Sequence, residues 1–489
     1  MRPPYLTMSD KAALELVGNV VAHKHPFNSR RHIFIMNDYP EKVKEKLNSI
    51  IRDMGAHAWL FANNPGHDFT RQDVGKLSFE DTIKIILSMG KGTVSDELID
   101  YFQMDADRIP TQSALIQRRH QLSEYAFKYL FNEFSASFPE TTHKFKGKSI
   151  LAADGTHVVY STNEQIIEDY NKPHLADHKG YNHMHLNGFV DVMSKIYLDI
   201  VIQPGQQTDE RQALRTMLDK FEPDHPENHI ITADRGYECY DLLFQCECKK
   251  LYYVFRVKAP DSSNSLLSTF KDDLPDDQEE FDVTVKRFVT NKKNNIMKEQ
   301  TNVYLYMNPN KNIPHFKDFL DSHPLGYLTF RVLKIKTSET TYEYIITNLP
   351  HSFDINDIKE CYHWRWGIEI SFRYLKHATG LLYFHSKKPE FLRQEIYASL
   401  ILYNFGILLA NEAGKENQRK ARKQKNKHLY EIDVSTALRT AIKFFRRRPD
   451  EKKIDIIKLL CKYVHAVKEK GRQFKRPLRG IGAIHFAYR

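Results

Sequence analysis

Apolar residues recur along this chain at two different periods, and the change between them divides it. Up to about residue 147 the spacing is helical. FEDTIKIILSMGKG (79–92) is amphipathic and stops at glycines. The stretch after Pro110, TQSALIQRRHQLSEYAFKYLFNEF, keeps its apolar positions three and four apart, with Thr111 or Ser113 as an N-cap. At Lys144 the texture changes. KFKGKSILAADGTHVVY predicts a short buried strand, 149–153, ending at Asp154, and HIITADRGY predicts another ending at Asp234. Between them, 183–205 predicts a hairpin turning near residues 193–195, and 208–221 a helix. YYVFRVK (252–258) is a further strand. From about 259 to 338 short apolar runs alternate with turn residues. FDVTVKRFV, TNVYLYMN and GYLTFRVLKIK predict strands there, with a hairpin turn near 292–295. TYEYIITNLP returns to the core, and helical spacing follows to the end.

One predicted helix, 362–376 (YHWRWGIEISFRYLK), has an unusual face. At about 100° per residue, Arg365, Glu369, Arg373 and Lys376 all fall within about 60° of Tyr362. Phe372, Ile368, Leu375 and Trp364 occupy the adjoining arc and suit a core. A single carboxylate among cations, on a helix rooted in a core, suits a metal held beside phosphates. It gives meaning to Asp154 and Asp234, each of which closes a strand and precedes a glycine within two residues. Carboxylates at strand ends sit on the rim of a sheet, where open α/β folds build sites. Three carboxylates can hold two divalent cations about 3.5–4 Å apart, and magnesium suits an all-oxygen donor set. Taken singly, an Asp before Gly is more often a turn former or cap.

Charge narrows the partner class. The net charge of +10 is uneven: residues 415–489 carry 23 Lys+Arg against 7 Asp+Glu, so the remainder is acidic. A local basic surface is the footprint expected for polyanion binding. Phe444, Phe445, Tyr463, Phe474 and Phe486 interleave that run and argue for a folded element, whereas 415–427 (KENQRKARKQKNK) reads as a mobile basic loop or linker. Arg118, Arg119 and His120 lie where a helix-turn-helix would read DNA. Arg256 and Lys258 alternate on one strand and are candidates to face DNA. His174, His178, His183 and His185 have loosely zinc-like spacing, but exposed loop histidines are the commoner case. Asp209 and Glu210 sit at a helix start, where acids favour the dipole. The five cysteines, Cys239, Cys246, Cys248, Cys361 and Cys461, fit reduced thiols. No run reaches the roughly 18 apolar residues of a membrane span; 396–410 comes nearest. The N-terminus lacks an apolar signal region, so a cytoplasmic protein is expected.

These motifs together carry a family resemblance. The spacing Tyr362-x2-Arg365-x3-Glu369-x6-Lys376 resembles the Y-R-E-K signature of DDE transposases of the insertion-sequence-four family of bacterial mobile elements. DGT at 154–156, DRGY at 234–237, TDERQAL, YVFRVK, YEYIITNLP and IPTQSALIQRRHQLSEYAF are similar to the same family. The resemblance covers about residues 70–410. It implies an α/β fold, with an RNase H-like core of the retroviral-integrase superfamily at 148–258 and 339–410. A β-rich insertion would occupy 259–338. A helical DNA-binding region at 1–147 and a basic helical region at 411–489 would flank them. It implies that Asp154, Asp234 and Glu369 bind two Mg²⁺ ions, with Mn²⁺ substituting, and that Tyr362, Arg365 and Lys376 contact phosphates at the transposon end. Arg373 shares that face. The activity implied is cleavage at terminal inverted repeats and transfer of the 3′-hydroxyl strands to target DNA. The active form would be a homodimer in a synaptic complex, nucleoid-associated on DNA and not at a membrane. Some members stack a flipped base on a tryptophan, but the insertion holds none, so that role would fall to Phe288, Tyr304, Tyr306 or another aromatic. Two other classes compete: a catalytically inactive transposase-derived DNA-binding regulator, and a different metal nuclease on the same fold, cutting without strand transfer.

Overall fold

The computed structural model describes residues 38–64, 69, 77–138, 144–172, 180–292, 300–308, 311, 313–424, 430–448 and 450–466. His174, His178, Phe474 and Phe486 lie outside them. Among the described residues, those up to Ser137 and from Ala378 onward form one compact unit, and Phe138–His377 forms another.

The first unit is helical. Helices α1 (Tyr39–Ala56), α2 (Phe79–Ser88), α3 (Val94–Tyr101), α4 (Gln112–Gln121) and α5 (Glu124–Ala136) begin it. Thr111 is the N-cap of α4, its hydroxyl accepting from the Ala114 N–H at 3.2 Å. The predicted single helix after Pro110 is two. Ser123 caps α5 and accepts from the Tyr125 N–H, while Asn63 donates to the His120 and Leu122 carbonyls freed at the break.

Arg119 is buried rather than placed to read DNA, which corrects the reading of the Arg118–Arg119 pair. Its guanidinium meets Glu395 Oε1 at 2.9 Å and donates to the Phe391 carbonyl at 3.1 Å. His385 Nδ1 lies 3.2 Å from the other Glu395 oxygen. Burial alone would raise the Glu395 pKa, but Arg119 and His385 hold it below the ordinary carboxylate value. Arg118 is half-buried over the Phe69 ring and donates to Gln121 Oε1 at 2.9 Å.

The second unit holds a mixed sheet. Its strands are β1 (Ser149–Tyr160), β2 (Tyr170–Asn171), β3 (Tyr181–Asp191), β4 (Ile196–Pro204), β5 (His229–Ala233), β6 (Tyr252–Val257), β7 (Phe281–Thr290), β8 (Tyr304–Tyr306), β9 (Tyr327–Lys336) and β10 (Tyr342–Thr347). They lie in the order β2-β3-β1-β5-β6-β10-β9-β7-β8, with β4 also on β3. β1, β5 and β6 are parallel neighbours and β3 is antiparallel to β1. Helices α6 (Glu210–Lys220), α7 (Tyr240–Cys248) and α8 (Phe316–Ser322) belong to this unit. An apolar core that includes Leu151, Phe189, Leu214, Tyr237, Phe244 and Phe255 joins α6 and α7 to the sheet.

Two strand expectations change. β1 does not end at Asp154 but runs on to Tyr160, because β3 pairs with it along its whole second half. The second concerns the β-rich segment, which continues the core sheet through β9 on β10 and β10 on β6. Within it β7 and β8 do not form a hairpin, because they are parallel. Buried Arg287 of β7 donates to the Thr301 carbonyl at 2.9 Å, which holds the returning chain alongside; residues 293–299 of the connection lie outside the described set.

Helices α9 (Ile355–Trp364) and α10 (Trp366–His377) close the second unit. Buried Arg331 of β9 donates to the carbonyls of Leu349, Pro350 and Phe353 at 3.0–3.1 Å, fixing the entry to α9. The Asp354 capping box starts that helix.

Residues 378–410, read from sequence as part of the core, group with the helical unit instead. There α11 (Pro389–Gln424) is long and apolar enough to cross a membrane by length and composition, but 78% of its apolar stretch is buried, as in a core helix. It continues through much of the predicted basic linker, supported by Lys415–Glu412 and Lys420–Glu416 pairs one turn apart. A small sheet of β11 (Tyr430–Ile432) and β12 (Val464–Ala466) and helices α12 (Val434–Arg446) and α13 (Ile456–Leu460) complete the unit. Phe444 and Phe445 are buried there, and Tyr463 is exposed.

Removing Arg119 strands a buried carboxylate, which costs about 3–5 kcal/mol. Arg119→Ala is therefore expected to lower the free energy of urea unfolding of the helical unit by that amount, with a lower midpoint, followed by far-UV circular dichroism. An unchanged midpoint would show that the ion pair is not holding this unit together.

Candidate active site

The site forms where β5 is too short. β1 pairs in parallel with β5 only over Ser149–Ala152, and β5 stops at Ala233. From Asp154 onward no strand pairs with the edge of β1 that faced β5. Asp154 stands at the start of that unpaired edge and Asp234 at the tip of β5, so both aspartates share one rim. Asp154 Oδ1 accepts its neighbour's Gly155 N–H at 2.9 Å, and Asp234 Oδ1 accepts the Gly236 N–H at 2.7 Å.

Glu369 is brought in by packing. The residue directly opposite Asp154 on β3 is Gly188. A Cβ at that position would lie 3.1 Å from Phe372 Cζ, so the missing side chain gives α10 its seat on the sheet. Phe372 is one helical turn from Glu369, and seating the ring carries the carboxylate toward Asp154.

The single helical face predicted from Tyr362 to Lys376 is interrupted. α9 ends at Trp364, and the Arg365 N–H makes a tight turn to the Tyr362 carbonyl at 3.1 Å. Trp364 consequently faces solvent, against the expectation of a core position, whereas Ile368, Phe372 and Leu375 are buried as expected. Arg365 is drawn inward. Its Nη2 donates to Glu369 Oε1 at 3.1 Å and its Nη1 lies 3.7 Å from Asp154 Oδ2. The guanidinium also lies over the rings of Tyr362 and Trp366, at 5.6 and 5.4 Å from their centroids.

The charges settle unevenly. Burial pushes the Asp154 carboxyl up to about 6; Asp234 and Glu369 add to the rise, and Arg365 and the Gly155 N–H oppose it. Burial opposes the Arg365 charge, but Tyr362, Asp154 and Glu369 outweigh it and hold the guanidinium above its ordinary pKa. The donor set is hard carboxylate oxygen with surplus negative charge, which suits Mg²⁺. Among the described residues, no group of three or more His, Cys, Asp or Glu is already arranged as a metal cage.

The other predicted residues fall around this centre to different degrees. Lys376 donates to Thr156 Oγ1 at 2.6 Å and to the His157 carbonyl at 2.7 Å, which ties α10 to β1 just past Asp154; burial lowers its pKa. Arg256 pairs with Glu343 at 3.0 Å, and both bear electrostatically on buried Tyr362. Lys258 is half-buried and Arg373 exposed. Phe288 packs edge-on against Tyr304 and Tyr327, while Tyr306 is exposed.

Two features escaped the sequence reading. His183 and His185 are buried strand residues, each with its ring 4.7 Å from that of His157. Asp209 is the cap of α6, as a helix-start acid should be, accepting from the Gln212 N–H at 2.9 Å. Glu210 is different, because its carboxylate reaches His185 Nε2 at 3.2 Å and lies beside Gly155 and Gly236. The only local signal was an acid in a first turn, which cannot tell where the side chain ends.

A carboxyl with a raised folded-state pKa keeps its proton better folded than unfolded. Its contribution to stability is therefore present at low pH and lost as pH rises from about 4 to about 6. Two pKa units correspond to about 3 kcal/mol at most. Asp154→Asn is expected to melt higher than the parent at pH 7.5 in EDTA, with the difference shrinking as pH falls from 6 to 4. A variant less stable than the parent at pH 7.5 would contradict this balance of charges.

Residues 145–405 match the family model described as "Transposase DDE domain", a span that includes all three carboxylates and more than half of the chain. A comparison with curated proteins returned no match. Among solved structures, one similar chain is that of the "Cryo-EM structure of piggyBac transposase synaptic complex with hairpin DNA (SNHP)". It is 11% identical over 86% of this chain and 84% of that one, with a TM-score of 0.39. On the family match, the chain belongs to the transposase DDE domain family.

Proposed function

We propose that this protein is a cut-and-paste DNA transposase of the insertion-sequence-four, Y-R-E-K type, with an RNase H-like core. The observation that carries the reading is one cation between converging acids: Arg365 reaches both Asp154 and Glu369, and Asp234 is close enough to raise the Asp154 pKa. Family membership supports a DNA-cleaving and joining activity. The two aspartates meeting on one rim of a mixed sheet support the core assignment.

Asp154, Asp234 and Glu369 would hold two Mg²⁺ ions, with Mn²⁺ able to substitute. When bound, the ions supply activation of the attacking oxygen and stabilisation of the leaving one. The chain's own side chains position the DNA. Arg365 offers a planar fork for a phosphate in exchange for its carboxylate partners. Lys376 has two of its three donors committed to β1, which leaves a third to meet a phosphate along a fixed direction. Tyr362 and Arg256 flank Arg365, Arg373 and Lys258 extend the cationic border, and exposed Tyr306 is the candidate platform for an unstacked base. Hydrolysis at the element's end and joining of its 3′-hydroxyl to target DNA are both in-line displacements at phosphorus, so one centre serves both. Coordinated cutting of two terminal inverted repeats calls for a homodimer on DNA, in the bacterial cytoplasm and on the nucleoid. The helical unit and the basic C-terminal region would contribute end binding.

The first test is cleavage of labelled double-stranded DNA carrying the element's inverted repeat, in Mg²⁺, by the parent and by Glu369→Ala. The parent is expected to cut at the repeat boundary. The variant should lose at least a thousandfold in rate while still retarding the DNA. Equal cutting by both proteins would remove Glu369 from the chemistry. Retention of DNA without cutting by either, in Mg²⁺ and in Mn²⁺, would favour an inactive DNA-binding regulator.

A further inference from the structure

Glu210 has a position that its place in the sequence does not explain. It opens α6, yet its carboxylate lies beside Gly155, the neighbour of Asp154, and beside Gly236, two residues after Asp234. A Cβ on Gly155, the residue after Asp154, would lie 2.3 Å from Glu210 Oε1 and 2.4 Å from His185 Nε2. Any other residue at position 155 would therefore collide with both. On the other side, the point where a Cβ of Gly236 would sit is 3.4 Å from Glu210 Oε2 and 3.0 Å from Asp234 Oδ1. The Glu210 and Asp234 carboxylates thus border one small space, kept clear by two glycines.

The side chain lies beside a buried pair of imidazoles. His185 is buried, with Nε2 3.2 Å from Glu210 Oε1 and Nδ1 3.3 Å from His157 Nδ1. His185 Nε2 makes no hydrogen bond among the described residues, so a buried polar atom lies beside Glu210 with its bonding capacity unused. The backbone carbonyl of His157 accepts from Lys376, which ties this stretch of β1 to α10.

A second, independent observation points the same way. Tyr237 is fully buried, and its hydroxyl has no hydrogen-bond partner among the described residues. The groups that bear on that hydroxyl electrostatically are Glu210 first, then Asp154, Asp234 and Arg365. A fully buried phenol close to four charged groups, with no hydrogen-bond partner among the described residues, marks a polar locus that the described residues do not satisfy.

We propose that Glu210 is a fourth carboxylate of the divalent-cation centre, acting on its Asp234 side, beside His185. It would bind the hydrated cation directly or through its water shell. Gly155 then serves two ends: its N–H steadies Asp154, and its lack of a side chain admits Glu210. The proposal rests on the cation-binding reading of Asp154, Asp234 and Glu369, so the test separates the two.

The full chain is titrated with Mn²⁺ in the absence of DNA, and free Mn²⁺ is read by electron paramagnetic resonance. Parent, Glu210→Gln, Glu210→Asp and Asp154→Asn are compared, with circular dichroism confirming each fold. Glu210→Gln is expected to weaken Mn²⁺ binding about tenfold or more, the range typical of a lost metal-orienting group. Glu210→Asp keeps the charge one methylene short and should fall between it and the parent. Parent-like affinity in Glu210→Gln, with binding lost in Asp154→Asn, would overturn the proposal and leave the three-carboxylate centre standing. Parent-like affinity in all variants would overturn the centre itself. Should Glu210→Gln fail to fold, Glu210→Asp decides: parent-like affinity overturns the role, and weakened affinity supports it.

Discussion

Like charge forced into a small, poorly solvated volume is the constraint around which the sheet unit is organised. Asp154 and Glu369 are held close enough that a cation must stand among them, and Arg365 is that cation. Its own burial would cost several kcal/mol without partners. The guanidinium needs the two acids and the acids need the guanidinium. At the junction of α9 and α10 a tight turn leaves Trp364 and Trp366 exposed and Arg365 buried. The Arg365–Glu369 pair spans one helical turn from that junction.

The backbone prepares this meeting long before the charges matter. β5 is five residues long, and its early stop leaves that edge of β1 without a paired strand from Asp154 onward. Gly188 across from Asp154 admits Phe372, and Phe372 sets the depth of α10. Arg331, on a strand of the long insertion, clamps the three carbonyls that lead into α9. The insertion thus supports the site even though its strands lie far from the aspartates in the sheet order. That support depends on the insertion continuing the core sheet through β10 rather than folding back on itself.

Local periodicity pointed to the parts of the candidate site that are local. An apolar run followed by Asp and Gly located Asp154 and Asp234, and a helical face located Arg365, Glu369 and Lys376. What it missed depends on partners remote in sequence. Asp154 lies inside β1 rather than at its end because β3, some thirty residues on, keeps pairing with it. β8 lies parallel to β7 because a buried arginine captures the returning chain. Arg119 looked like a DNA reader because a strongly polar helix gives no sign that Glu395, far along the chain, will cover it. Glu210 looked like a helix-start acid because its reach is set by two glycines on other elements.

Arg119 and Arg365 invite direct comparison, since both are buried arginines facing carboxylates. Around Arg119 the cation prevails. Glu395 is held below its ordinary pKa by Arg119 and His385, and further donors of the guanidinium end on a backbone carbonyl and on Gln394. Around Arg365 it does not. Despite the guanidinium, Asp154 is pushed up to about 6, because burial and two neighbouring acids together outweigh one cation. The two buried arginines thus leave their carboxyl partners on opposite sides of the ordinary value.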